Sequence, residues 1–187
     1  MFKIVLICAF GIAASNADAP GDPPKVYCGE IPYKIFECLG SPRIIKPESS
    51  MKCDKSISEC DKMRCIFREE GWMVNNMVDK SKVGANFDQF GKDNPDWAAA
   101  IGAAKTECLA QELPAQGVFI GCPAYDILHC TLTTLIRNAN PAKWSSSEEC
   151  KYPRQYAGAC PICPSNCFVP AIPTGSCNAC LSLPRTP

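Results

Sequence analysis

The chain has 187 residues, 47% of them apolar and 20% charged, with 19 basic and 19 acidic side chains. That balance excludes a polybasic nucleic-acid binder and an acidic tail, and the apolar fraction excludes a disordered chain. The single His excludes a His-rich metal site and argues against a His-dependent catalytic centre, while 15 Cys set the composition apart.

Residues 1–17 read as a secretory signal peptide. Lys3 supplies the positive start, Ile4 to Ala14 carries no polar or charged side chain, and Ser15-Asn16-Ala17 offers small residues for cleavage before Asp18. The run is shorter than the roughly 20 apolar residues of a membrane span, and no later stretch is long enough. Cleavage removes Cys8 and leaves an even set: Cys28, Cys38, Cys53, Cys60, Cys65, Cys108, Cys122, Cys130, Cys150, Cys160, Cys163, Cys167, Cys177 and Cys180. In an exported chain such a set reads as a disulfide framework, with connectivity that spacing alone does not give.

Residues 18–55 form a loop-rich N-terminal arm dotted with Pro20, Pro23, Pro24, Pro32, Pro42 and Pro47, with a short helix near Lys34 to Leu39. Residues 56–159 form the helical domain. Ser56 or Ser58 caps a helix that ends before Gly71 and carries Cys60, Met63 and Phe67 on one face. Asp79 caps a helix through Phe87 and Phe90, with Gly91 as its stop. Asn94-Pro95 is an N-cap followed by Pro at the first helical position, ahead of a face with Trp97, Ile101, Ala104, Cys108 and Leu109. Pro123 opens a helix to about Asn138, with Tyr125, Leu128, Leu132, Leu135 and Ile136 at helical spacing. A last turn starts within Ser145 to Glu149. Residues 160–187 are a Cys/Pro-rich tail with Arg185 as its one charge, an irregular extension held by cross-links. Alternating strand patterns are scarce, so the fold class is all-α with disulfides joining helices.

These residues resemble the insect odorant-binding proteins, in their Cys-rich Plus-C branch. The resemblance lies in Cys60-Asp-Lys-Met-Arg-Cys65-Ile-Phe-Arg-Glu-Glu-Gly71, in the long gap to Cys108, in Cys122-Pro-Ala-Tyr-Asp-Ile-Leu-His-Cys130, and in the run from Asn140-Pro141 through Trp144 and Cys150 to Cys160-Pro161. It implies a disulfide-linked helical bundle around a hydrophobic cavity. It also implies the links Cys60–Cys122 and Cys108–Cys130, with Cys65 joined to one of Cys28, Cys38 or Cys53. Cys60 and Cys65 stand five apart on one helix, which does not favour a bond between them. The implied function is a secreted carrier, in sensillar lymph or another body fluid, that binds small hydrophobic odorant-like molecules without covalent chemistry. An olfactory receptor is left open as a further partner, and no cofactor, metal or nucleic acid is expected.

The candidate ligand-wall residues are Phe67, Trp72, Met73, Met77, Phe87, Phe90, Trp97, Ile101, Leu128, Leu132, Leu135 and Ile136. Met suits adaptable walls, and each of these side chains is equally suited to plain core packing. A volatile that buries about 300 Å² of apolar surface gains about 7 kcal/mol at ~25 cal/mol per Å², a micromolar affinity before ordering costs.

Cys160-x-x-Cys163 and Cys177-x-x-Cys180 imitate a four-cysteine zinc ribbon, but the signal peptide favours oxidised sulfur, and no thioredoxin-like pattern surrounds either pair. His129 is a candidate pH switch or an ordinary helix histidine. Enzyme readings lack support: His129 is followed by Cys130 rather than Asp, with no Gly-rich calcium loop, and no Gly-x-Ser-x-Gly occurs. The rival to carriage is a secreted disulfide-rich interaction protein, a protease inhibitor or structural module, with the tail as contact surface.

Overall fold

The computed structural model describes Val26, Cys28 and residues 31–41, 43–53, 58–119 and 121–163. The expected signal segment 1–17 with its cleavage point lies outside the described residues. So do residues 164–187, which include Cys167, Cys177 and Cys180.

Among the described residues the chain is mostly helical. The helices are α1 (Ile35–Cys38), α2 (Pro47–Met51), α3 (Glu59–Glu69), α4 (Lys80–Asp93), α5 (Ala98–Cys108), α6 (Pro123–Arg137) and α7 (Lys151–Ala159). A small antiparallel hairpin, β1 (Met73–Val74) and β2 (Met77–Val78), stands between α3 and α4. Short 3-10 turns at Pro95–Trp97, Pro141–Lys143 and Glu148–Cys150 connect the later helices.

Local chemistry explains most of the ends. Ser58 caps α3, its hydroxyl accepting from the Asp61 N–H at 3.2 Å. The helix closes at Gly71, whose φ of +75° is the left-handed conformation a glycine adopts freely. There the Trp72 N–H donates to the Phe67 carbonyl and the Gly71 N–H to the Arg68 carbonyl, a paired bond pattern that stops a helix. The rings of Phe67 and Trp72 then meet edge to face at 5.0 Å, so the cap also begins the core. Asp79 caps α4 through the N–H groups of Ser81 and Lys82.

Gly91 does not stop α4; the helix runs on to Asp93 and yields to Pro95. A Cβ at Gly91 would meet Ile101 and Ala98 at 3.7 and 3.8 Å, ordinary contact distances, so this glycine is neither a stop nor a steric requirement. Asn94 serves the end of α4 rather than the start of α5, since its amide donates to the Phe90 carbonyl. The α2 helix and a hairpin were not expected, and the last turn or two expected to start within Ser145 to Glu149 begins at Glu148 and runs on into α7. α2 lies within the arm, and α7 holds Pro153 in its first turn, where a proline breaks no hydrogen bond. The hairpin turns on Asn75 and Asn76, both at positive φ, the conformation that a tight two-residue loop demands.

α6 is the central element. It packs against α3, α5 and α7, and buried residues ring most of it, including Tyr125, Ile127, Thr131 and Ile136. Around it Phe67, Trp72, Phe87, Trp97, Ile101 and Tyr156 form one continuous apolar core.

Five disulfides join these elements among the described residues: Cys28–Cys160, Cys38–Cys150, Cys53–Cys65, Cys60–Cys122 and Cys108–Cys130. Two are the links the resemblance implies, and Cys65 takes Cys53 from its three options. Cys163 is also disulfide-bonded. Neither Cys160 nor Cys163 therefore offers a thiolate. The arm is not an appendage. The Ser145 N–H donates to the Cys38 carbonyl at 2.7 Å, Leu39 pairs with Trp144, and Lys34 meets Glu149 at 2.5 Å, so α1 is bound to the entry of α7.

The chain-entropy account assigns about 5 kcal/mol to closing the 132-residue loop of Cys28–Cys160. Replacing both cysteines by Ser is expected to lower the oxidised protein's unfolding free energy by about 2–5 kcal/mol in guanidinium titrations. A loss below ~1 kcal/mol would mean that Cys38–Cys150 already supplies the closure alone.

Candidate functional site

An open cleft of about 390 Å³ lies between α3, α6 and the stretch from Arg43 to Ser50. Helical spacing builds two of its walls. Leu128, Thr131, Leu132 and Leu135 recur along one face of α6, and Lys62, Met63 and Ile66 along one face of α3. The third wall is the strap that carries Ile44 and Ile45. The lining is aliphatic, with Arg43, Lys62, Ser50 and His129 as polar members. The Thr131 hydroxyl is already engaged, donating to the Ile127 carbonyl at 2.7 Å. The volume falls within the range of small-molecule pockets, roughly 300–1,000 Å³.

Cross-links fix the walls relative to each other. Cys60–Cys122 ties the start of α3 to the residue preceding α6. Cys53–Cys65 ties the end of the strap to the middle of α3. Cys38–Cys150 anchors the strap's other end to the turn before α7.

Of the residues proposed from sequence, Leu128, Leu132 and Leu135 meet in this cleft. Met73 and Met77 line a second cleft, beside the hairpin. Phe67, Trp72, Phe87, Trp97, Ile101 and Ile136 are buried in the core, with Phe90 packed against it; these seven line neither cleft. Sequence reasoning did not name Ile44, Ile45, Met63 or Ile66 as wall residues. The available signals were Met63 on the α3 face and an Ile-Ile pair between Pro42 and Pro47.

His129 sits at the edge of the cleft with its ring 4.2 Å from that of Tyr125. Burial lowers its pKa below the ordinary imidazole value, while the nearby Glu59 charge works the other way. Asp126, one turn earlier, is raised by burial, and the Gln116 backbone N–H partly opposes the shift.

Compared with known proteins, the chain matches no family model and no curated protein sequence. Among the described residues no helix is long and apolar enough to cross a membrane.

The direction of the His129 shift fixes a pH dependence. The fold favours the neutral ring, so that contribution is fully present above the ordinary value of 6.5 and is lost as pH falls below it toward the lowered one. Stability measured against pH should therefore decline on acidification from about 6.5, and His129→Gln should remove that component. An identical decline in the variant would assign the acid loss to other groups. Asp126 contributes with the opposite sign: its stabilisation is present in acid and is lost as pH rises from the ordinary aspartate range through its raised value.

Proposed function

We propose that this protein is a secreted carrier for small hydrophobic molecules, of the insect odorant-binding type, and that the cleft between α3, α6 and the 43–50 strap holds the ligand. The observation that carries the reading is that cleft, an aliphatic hollow of about 390 Å³ with cross-linked walls. Cys60–Cys122, Cys108–Cys130 and Cys53–Cys65 add support, because they fall where the resemblance puts the family's core links. The disulfides suit an oxidising, extracellular compartment.

Binding in such a site is burial. Ile44, Ile45, Leu128 and Leu132 are only half-buried in the cleft, so a ligand removes protein as well as ligand surface from water. Walls held by covalent links lose little conformational freedom when the guest enters. A hydrocarbon-like ligand against His129 excludes water from the imidazole and favours its neutral form further. By linkage, protonation then weakens binding.

Displacement of a naphthylamine fluorophore by apolar volatiles tests the proposal. Saturable micromolar binding is expected to the oxidised protein. Leu132→Trp, which fills the cleft, should weaken it about tenfold or more while the denaturation midpoint stays close to that of the parent. An oxidised, folded protein that binds no apolar probe would overturn the carrier reading and leave the interaction-protein alternative, which inhibition assays against proteases address.

A further inference from the structure

The second cleft has a different chemistry. It measures about 500 Å³ and lies between the β1–β2 hairpin, the loop at Gln111 and Leu113, and the first turns of α6. It reaches α3 only at Arg64, a residue outside the set that lines the first cleft. Its apolar lining includes Met73, Met77, Val78, Leu113 and Ile127.

Among these lies a carboxylate. Asp126 is 6% exposed and lines the cleft. One of its oxygens, Oδ1, accepts the Gln116 N–H at 2.8 Å, and among the described residues no other donor reaches the group. A carboxylate offers about four acceptor positions, so the protein uses little of this one's capacity, and its second oxygen is not among the fully enclosed unpaired atoms of the described residues, so a molecule in the cleft can reach it. The nearest lysine of the lining does not engage it, because the Lys80 ammonium donates to the carbonyls of Ala110 and Gln111. Arg64, also in the lining, is exposed and makes no ion pair among the described residues.

We propose that this cleft is a second, separate binding site for a small uncharged amphiphile with a hydroxyl group, the hydroxyl donating to Asp126 and the hydrocarbon lying against Met73, Met77 and Ile127. Charge selects the head group. An anionic head would meet the Asp126 carboxylate, and a cationic head, though drawn to that carboxylate, would add a third positive charge beside Arg64 and Lys80. A neutral donor meets neither penalty and can bond to the carboxylate oxygen that no donor among the described residues engages. Two methionines in the wall suit a chain of variable shape. The site stands independently of what fills the first cleft.

The two clefts can be read apart in one experiment, because Met63 lines the first and Met73 and Met77 line the second. Methionine-methyl-labelled, oxidised protein is titrated with decanol and with decyl methyl ether, which carries the same hydrocarbon but no donor. Decanol should shift the Met73 and Met77 resonances saturably, about tenfold or more tighter than the ether. Asp126→Asn keeps an acceptor for the Gln116 N–H but turns the free oxygen into a donor, which an ether satisfies as well as an alcohol. In that variant the alcohol's advantage should fall to within about twofold. Equal affinities for alcohol and ether in the parent protein would overturn the proposal without any variant being needed. Shifts confined to Met63, or an undiminished alcohol preference in Asp126→Asn, would overturn it as well.

Discussion

The link from Cys60 to Cys122 is the constraint on which the rest of the architecture turns. It fixes the start of α3 against the start of α6; the first cleft draws walls from both helices, and the second draws one from the first turns of α6. α6 is pinned a second time, through Cys130 to the end of α5. A helix held at two points and buried on most sides has little freedom to slide, so the distance between α3 and α6 is set covalently rather than by packing alone. Without such links, half-buried aliphatic side chains on facing helices would tend to close on one another, because collapse removes the same apolar surface from water that a ligand would cover.

The strap between α1 and α3 extends this logic. Cys38 is bound to Cys150 at one end and Cys53 to Cys65 at the other, so the stretch that carries Ile44 and Ile45 is fastened at both ends. The Lys46 N–H adds a hydrogen bond to Glu70 at 2.9 Å. A segment broken by Pro42 and Pro47 can form only a short helix of its own, yet it serves as a wall because its ends do not move apart. The charge pair between Lys34 and Glu149 involves an exposed carboxylate and contributes little beside a covalent closure.

Element boundaries were legible wherever one residue type had one physical use. Ser58, Asp79, Gly71 and Pro123 mark starts or stops through caps, a left-handed backbone or a fixed φ, and the sequence reading placed helices by them. Gly91 misled. α4 runs through Gly91 to Asp93, where a side chain would meet only ordinary contacts, so a lone glycine in a helical pattern was not a stop. Asn75-Asn76 was a usable turn signal, but strands of two residues carry no alternation to read. The candidate walls were harder. Periodicity tells which residues share a face and not what that face meets. Large aromatics gain most from complete burial, and they occupy the core, while Leu128, Leu132 and Met63 are left half-buried around the hollow.

That division of labour bears on how a protein of this size combines stability with an open site. The aromatic and alanine-lined contacts among α3, α4, α5 and α6 supply conventional packing, and the cross-links limit the unfolded chain. Neither source of stability requires Leu128 or Leu132 to find a protein partner. Their partial exposure is a small unfavourable contribution that a guest removes, so the driving force for binding resides in the walls as much as in the guest. Specificity then has to come from the few polar groups at the margins. In the first cleft these are an imidazole, two cationic side chains and the Ser50 hydroxyl at an aliphatic surface, which discriminate weakly among uncharged guests. In the second cleft a buried carboxylate with unused acceptor capacity discriminates strongly between a donor and its absence. The two hollows, which share α6 as a wall, therefore differ less in size than in what each rejects.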